Sequence, residues 1–316
     1  MLKCCEFTVL AVSSCAQRRA LVSWKINRVF MPSIFAVFRF IATTLSVAVT
    51  HRVLISILPG PLRFRYLQLL QFLAIALTSI LAFPVAVLYT VFNRRAYINY
   101  ALGKLYRFFH MSFTRIKCTV QDPHHRLGAE QVIYVANHQN LMDFRGLGET
   151  FPPKCVVMAK QDFVWYPFLG WTMMLAKNVF IKRTNTSSAL NTMSQSVEQL
   201  QNTGYSLWVF PEGTRAHQGG QLLPFKKGAF HMAQQLGCPI VPIVFESFER
   251  VYDSRKKVFC PGDIKIRVLD KIDMKGKSVD DVSVIADTCR EQMQAVLDEM
   301  ALDRNKKDMA KTKKDK

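Results

Sequence analysis

A continuous run without a charged side chain, residues 67–92, most restricts how this chain can fold. The run is 26 residues long, and about 20 apolar residues suffice to cross the hydrocarbon core of a bilayer. Pro84 predicts a kink within it. Arg94 and Arg95 follow at once, and basic residues beside a membrane segment favour the cytosolic side. The run therefore predicts attachment to a membrane, without fixing the number of spans.

The residues before this run divide into two pieces. Residues 1–30 carry five basic side chains and one acidic one, which fits an organelle-targeting leader. They fit equally an extension ahead of the true start, because Met31 is an alternative initiator. Residues 31–98 are predicted to form membrane-associated helices. The apolar runs in residues 34–58 are each too short to span, so they form either a buried core helix or an interfacial or re-entrant segment. Residues 59–61 predict a break.

The chain is strongly basic, with 42 Lys and Arg, 23 Asp and Glu, and a net charge of +19. Such a balance favours an anionic partner. Nucleic acid is excluded, because no zinc-finger spacing, basic zipper or aromatic RNA-binding signature accompanies the charge. Membrane lipid or a phosphorylated substrate agrees better with a hydrophobic share of 50%. The eight Cys form no C-x-x-C pair, so we expect no metal site and reduced thiols in a cytosol-facing domain.

Residues 99–303 alternate between short apolar runs and helical segments, which predicts one catalytic domain. Strands are predicted at residues 114–120, 131–136, 154–159, 178–181, 205–210, 240–245 and 264–269, and helices at 188–201, 225–236 and 282–302. This alternation predicts an α/β fold with a mostly parallel sheet flanked by helices, behind an N-terminal helical membrane segment. The basic tail, residues 304–316, is predicted to be disordered.

Two polar residues, Asn137 and His138, come at the carboxyl end of one predicted strand, where open α/β sheets hold their chemistry. Asp143 follows five residues after His138. On one helix these side chains would lie about 140° apart, so they meet only if His138 is in the turn and Asp143 in the first turn of the next helix. A carboxylate there supports an imidazole. The pair predicts a base that activates a substrate hydroxyl, with an ordinary strand-to-helix turn as the alternative.

A second polar cluster follows the strand predicted at residues 205–210. Glu212 and Arg215 are presented at the same sheet edge as His138, and Gly213 permits a tight turn between them. The guanidinium group of Arg215 offers a planar fork of donors suited to phosphate. The alternative is a plain turn with a solvated ion pair. Two such clusters at the ends of strands favour a shared active site.

Together the motifs resemble those of the glycerolipid acyltransferases: Asn-His, four residues and Asp, then Phe-Pro-Glu-Gly-Thr-Arg. Residues 179–183 and 240–244 resemble two further blocks of that family, although Lys182 stands where many relatives have Asp. Residues 164–171 and 223–231 are typical of the branch that acts on lysophosphatidic acid. The resemblance extends over residues 89–297.

The resemblance implies an enzyme that transfers an acyl chain from acyl-CoA to the sn-2 hydroxyl of lysophosphatidic acid, giving phosphatidic acid. Acyl-CoA would be a co-substrate, with no cofactor and no metal. His138 would take the proton, supported by Asp143. Arg215, Arg183 and Lys160 would hold the acceptor phosphate, and Glu212 would orient Arg215 or the acceptor. The residues implied to bind substrate are Lys160, Arg183, Glu212, Gly213, Thr214 and Arg215. Another lysophospholipid or glycerol-3-phosphate as acceptor, and an inactive membrane scaffold, remain alternatives.

The expected location is the endoplasmic reticulum membrane with a cytosolic active site, and the alternatives are a bacterial inner membrane or another organelle membrane. Residues 313–316 resemble a dilysine signal for retrieval to the endoplasmic reticulum, a match that a Lys-rich tail also produces by chance.

Overall fold

The computed structural model describes residues 46–182, 186–216 and 220–314. The chain divides into two compact units, Met1–Pro59 and Gly60–Lys316. In the first unit, helix α1 is described over Ser46–Ile57, and the leader or extension predicted at residues 1–30 lies outside the described residues. The break predicted at residues 59–61 is where the two units divide.

The second unit is built on a mostly parallel sheet. In its described part the strands are β1 Ile116–Gln121, β2 Ile133–Ala136, β3 Cys155–Lys160, β4 Val179–Ile181, β5 Ser206–Val209, β6 Ile240–Phe245, β7 Tyr252–Asp253, β8 Val258–Phe259 and β9 Gly262–Val268. Seven of them form a sheet in the order β1-β9-β6-β2-β5-β3-β4. The five strands from β6 to β4 run parallel, whereas β9 is antiparallel to β6 and parallel to β1. The predicted fold class and all seven predicted strands are confirmed.

Helices cover both faces of this sheet. They are α2 Gly60–Val91, α3 Ile98–Thr114, α4 Asp143–Thr150, α5 Leu169–Leu175, α6 Thr186–Thr203, α7 Gly228–Leu236 and α8 Asp281–Lys314. Alternation along the central strand divides the core: Ile133 and Val135 join the cluster of α7 and α8 residues that includes Phe230 and Met293. Tyr134 points the other way and stacks on Trp208, with 5.6 Å between the ring centroids. The strands are thus buried on both faces, which is why they appear in the sequence as continuous apolar runs.

Helix α2 contains all but the last residue of the uncharged run, together with the internal Pro84, and it packs against α3 and α5. One stripe of it is buried, with the three- to four-residue spacing of a helical face, and comprises Phe64, Leu67, Gln71, Ala74, Thr78, Ala82 and Ala86. The predicted boundary between residues 98 and 99 therefore does not separate two compact units, because this stripe attaches α2 to α3 and α5.

Helix α8 extends beyond the predicted end at residue 302 and continues to Lys314. The prediction of a disordered segment from Arg304 onward is therefore wrong for the described residues. Arg304 is held in place because its Nε and Nη2 each donate a 2.7 Å hydrogen bond to Glu246, which is buried at the end of β6.

Candidate active site

The imidazole of His138 and the carboxylate of Asp143 meet at the carboxyl end of β2. His138 Nδ1 donates to Asp143 Oδ2 at 2.7 Å, in the geometry that their spacing predicts: His138 lies in the turn and Asp143 begins α4. The same carboxylate oxygen accepts the backbone N–H groups of Gln139 at 2.9 Å and Asn140 at 3.0 Å. Three donors therefore fix the carboxylate beneath the imidazole.

Asp143 is 2% exposed, so its charge is supported by few solvent molecules. Burial raises the pKa of Asp143, and the contact with His138 and the two backbone N–H groups oppose that rise. Its second oxygen, Oδ1, is buried without a hydrogen-bond partner in the described part of the chain. A carboxylate in such a poorly solvated position interacts strongly with a nearby cation. It therefore favours the protonated imidazole that forms when His138 takes a proton.

The ring of His138 is clamped on its other side by Phe210, with centroids 4.3 Å apart and ring planes 22° apart. Its side chain is 18% exposed. Among the described residues, Nε2 has no hydrogen-bond partner, whereas Nδ1 is occupied by Asp143. One ring nitrogen is thus held by the protein and the other is free to accept a proton from a bound molecule.

Glu212 joins the His138 turn to the Pro211–Arg215 turn. Its Oε1 accepts the backbone N–H of His138 at 2.7 Å, and its Oε2 accepts that of Leu223 at 3.0 Å. The side chain is buried, and burial raises the pKa of this carboxyl, an effect that the two N–H groups oppose. Both oxygens are therefore used by the backbone. Glu212 thus positions the backbone of His138, and its predicted task of orienting Arg215 or the acceptor stays a prediction.

Gly213 adopts a φ of 68°, in the left-handed region that favours glycine. A second reason for glycine is the side chain of Lys226, because a Cβ at this position would lie 2.7 Å from Lys226 Cε. The backbone N–H of Lys226 donates to Pro211 O at 2.8 Å, so this lysine is tied to the turn that it crosses. The sequence did not single out Lys226 as a functional residue; only the block of residues 223–231 that contains it resembled other proteins.

The predicted cationic residues have different environments. Arg215 is half-buried. Burial raises the pKa of Tyr252, and the nearby charge of Arg215 opposes that rise. Lys160 ends β3 and forms an ion pair with Asp162. Thr214 is exposed, and Arg183 lies outside the described residues. Because β2, β5 and β3 are parallel neighbours, the described cations share the sheet edge of His138.

Asn137 and Gln139 flank His138. Their side chains form hydrogen bonds to distant backbone groups, which the local sequence pattern did not predict. Asn137 Nδ2 donates to Phe245 O at 2.9 Å, and its Oδ1 accepts the N–H of Phe245 at 2.8 Å. Gln139 Oε1 accepts the N–H of Phe248 at 3.1 Å. These bonds fasten the His138 turn to the end of the neighbouring strand β6. Among the described residues, no cluster of three or more His, Cys, Asp or Glu side chains is arranged to hold a metal ion.

Comparison with known proteins finds sequences and a fold similar to those of this chain. The profile of the family described as Acyltransferase matches residues 115–246 of this chain. Human 1-acyl-sn-glycerol-3-phosphate acyltransferase alpha is 38% identical over 188 residues, 60% of this chain and 66% of the relative. The 1-acyl-sn-glycerol-3-phosphate acyltransferase of Saccharomyces cerevisiae is 38% identical over 175 residues, 55% of this chain and 58% of the relative. This chain thus spans slightly less than two thirds of the length of these relatives.

The fold is also found in a solved structure. The crystal structure of the 1-acyl-sn-glycerophosphate (LPA) acyltransferase PlsC from Thermotoga maritima superposes with a TM-score of 0.63, over 77% of this chain and 98% of that one. Sequence identity is 22%, so this likeness establishes the shared fold.

Proposed function

We propose that this protein is a 1-acyl-sn-glycerol-3-phosphate O-acyltransferase of phospholipid biosynthesis. It transfers an acyl chain from acyl-CoA to the sn-2 hydroxyl of lysophosphatidic acid and produces phosphatidic acid. The observation that carries the proposal is the 2.7 Å contact of His138 and Asp143 beside the turn that presents Arg215. The named activity of the relatives supports the choice of acceptor.

The reaction requires one proton carrier and no covalent enzyme intermediate. Nε2 of His138 takes the proton of the sn-2 hydroxyl as its oxygen attacks the thioester carbonyl carbon. The new C–O bond forms, the tetrahedral intermediate collapses, and the C–S bond breaks. The imidazolium then returns the proton to the leaving sulfur, which departs as the free thiol of CoA. Asp143 stabilises the imidazolium between these steps, and general-base help of this kind contributes about 10²- to 10⁴-fold in rate.

The acceptor is recognised through its phosphate. Arg215 offers a bidentate fork, and Lys160 and Arg183 add positive charge. Lys160 forms an ion pair with Asp162, so phosphate must compete with that carboxylate for its ammonium group. Gly213 and Thr214 complete the turn: the first lets the backbone and Lys226 approach, and the second presents an exposed hydroxyl.

The membrane is the proposed source of the acceptor. Helix α2 is long and apolar enough to cross a bilayer by length and composition, yet one face of it is buried along the catalytic unit. Its opposite face is apolar and exposed, with Leu69, Phe72, Ile80, Leu88 and Val91. We place this exposed face in lipid and the active site on the cytosolic side of the endoplasmic reticulum membrane; an organelle or bacterial inner membrane are the alternatives.

One assay tests the activity. The full chain in mixed micelles is given oleoyl-CoA, and release of the CoA thiol is followed with lysophosphatidic acid, lysophosphatidylcholine or glycerol-3-phosphate as acceptor. We expect turnover with lysophosphatidic acid and loss of that turnover in His138→Ala. Greater turnover on another acceptor would replace the proposed substrate. Absence of turnover on every acceptor and a panel of acyl-CoA donors would favour a membrane scaffold.

A further inference from the structure

Four aromatic side chains project from the segment that follows β3, and we call them the aromatic knob: Trp165, Tyr166, Phe168 and Trp171. Their exposed fractions are 83%, 57%, 36% and 41%. Trp165 and Tyr166 are amphipathic rings that a soluble surface seldom leaves so open. The segment starts at Lys160, so the knob projects from the sheet edge that also carries His138.

The backbone holds the knob rigidly. Gly170 packs so closely that a Cβ there would lie 2.3 Å from the carbonyl oxygen of Phe163. Its N–H also donates to Tyr166 O at 2.8 Å. Phe168 is kept at a φ of 60°, a strained conformation for a residue with a side chain. Strain of this kind persists where the surrounding structure imposes it, so the exposure of the rings does not come from a loose loop.

The knob is continuous with the apolar helix α2. Phe83 of that helix contacts Phe168 with ring centroids 5.9 Å apart and Trp171 with centroids 5.6 Å apart. Ile80 and Val87, one turn to either side of Phe83, are exposed. The rings therefore extend the exposed apolar face of α2 sideways, toward the edge of the sheet where the active site opens.

We propose that the aromatic knob inserts into the headgroup region of a lipid bilayer and sets the height of the active site above it. This inference rests on the membrane association included in the proposed function. Trp and Tyr partition to the level of the headgroups, with the ring among the acyl chains and the polar atom toward water. The net charge of +19 favours an anionic lipid surface as the occupant.

Fluorescence quenching tests this proposal without any measurement of activity. The full chain is bound to vesicles of phosphatidylcholine and phosphatidic acid whose acyl chains carry bromine near the headgroup, and the quenched amplitude of Trp emission is compared between variants. Trp165→Phe should lose a large share of the amplitude that the wild type loses to bromine. Trp208→Phe is the matched control, because Trp208 is fully buried and should not be quenched. Since α2 is intact in both, the difference reports the knob alone.

The outcomes separate the possible occupants. Bromine near the headgroup should quench Trp165 more strongly than bromine near the bilayer centre. An unchanged quenched amplitude in Trp165→Phe overturns the proposal, and a protein partner of the knob would give that result. If Trp208→Phe does not fold, the wild type and Trp165→Phe still decide the question. An enzyme inactive on lysophosphatidic acid but quenched as described would refute the proposed function and leave the knob supported.

A different observation points to a further binding residue in the active site. Lys226 crosses Gly213, and its exposed ammonium has no ion pair or hydrogen bond among the described residues. The adjacent Lys227 instead donates to Ser283 on α8. The two oxygens of Glu212 each accept a backbone N–H group, from His138 and from Leu223. The cation is therefore held beside the turn that carries Arg215.

We propose that Lys226 binds a phosphate group of one of the two substrates, an inference that also rests on the proposed function. Lys226→Gln should raise the KM for that substrate about tenfold or more, the size expected for one charge-assisted hydrogen bond. Lys227→Gln is the matched control and should not change either KM. A rise with lysophosphatidic acid identifies the acceptor phosphate, and a rise with acyl-CoA identifies a CoA phosphate.

Binding measured by calorimetry in the His138→Ala background gives a second readout that needs no turnover. If Lys226→Gln matches Lys227→Gln in both KM values and in affinity for both substrates, Lys226 does not bind phosphate. If binding is weakened although the wild type shows no acyl transfer, the proposed reaction fails and the phosphate site stands.

Discussion

Removing the side chain of Arg304 should destabilise the catalytic unit far more than a substitution near the end of a chain normally does. Arg304 donates two 2.7 Å hydrogen bonds to Glu246, and the side chains are 19% and 6% exposed. Arg304→Ala leaves the buried carboxylate without its cation. It keeps only the backbone N–H of Lys265, which donates to Glu246 Oε2 at 2.8 Å.

The magnitude follows from burial. Breaking a buried ion pair by removing one partner costs roughly 3–5 kcal/mol, and the partial exposure of Arg304 argues for the lower end, about 3 kcal/mol. In a unit of this size, each kcal/mol lowers Tm by about 2–4 °C. We therefore expect Tm to fall by about 9 °C. The neighbouring ion pair of Arg250 and Asp308 should contribute little to stability, because its side chains are 43% and 45% exposed. Its Nη1 and Oδ1 atoms are 3.7 Å apart.

The assay is thermal unfolding of the full chain in detergent, followed by intrinsic fluorescence. Arg250→Ala is the matched control, and its Tm should stay within about 3 °C of wild type, because exposed pairs contribute at most about 1 kcal/mol. A chain that ends at Asp303 should melt like Arg304→Ala. If Arg304→Ala melts like Arg250→Ala, the pair does not stabilise the fold and α8 contributes nothing beyond residue 303.

Further outcomes can be measured in the same preparation. His138→Ala and Asp143→Asn should lower kcat by about 10²- to 10⁴-fold with unchanged Tm; wild-type rates in either would refute the mechanism. Arg215→Lys keeps the charge but loses the planar fork, so it should raise the KM for lysophosphatidic acid more than that for acyl-CoA, and equal damage would indicate a structural role. High salt should leave the protein in the membrane pellet, since salt screens charge but does not release an inserted apolar face. Protease outside sealed microsomes should cut the Lys-rich end of α8 beyond the Arg304 contact, and protection of that end would reverse the proposed orientation. Burial raises the pKa of Cys238 to about 11 and of Cys289 to about 12, so these thiols carry little thiolate at pH 8 and should resist alkylation, read by mass spectrometry, until the chain unfolds.

Local sequence pattern was sufficient to predict the sheet and the contact between His138 and Asp143. The central strands are buried on both faces, so each appears as an apolar run that ends where polar residues begin. The spacing of His138 and Asp143 allowed one arrangement, and that arrangement is observed. The hairpin of β7 and β8 was not predicted, because strands of two residues have no periodicity to detect.

Two differences between the sequence predictions and the structure have a common physical origin. From composition, the uncharged run was predicted to be a membrane segment separate from the catalytic domain. Residues 304–316 were predicted to be a disordered tail. Both descriptions ignore contacts with distant parts of the chain: the buried stripe of α2 and the pairing of Arg304 with Glu246, 58 residues away in sequence. An apolar helix can face lipid on one side and protein on the other, and a Lys-rich segment stays helical when one of its residues is held.

The contacts of Glu212 show why the position of a site can be predicted from sequence while the contacts that hold its residues in place cannot. His138 is held through its ring by Asp143 and Phe210 and through its backbone by Glu212, whose partner lies 74 residues away. The backbone N–H of Ala216 also donates to His138 O at 2.8 Å. The ring contact to Asp143 is local and leaves a signature in spacing. The backbone contacts depend on two parallel strands ending side by side, and any residue type except proline, which lacks the N–H, could make them at position 138. The second motif therefore also helps to position His138, because it fixes the backbone that carries the imidazole.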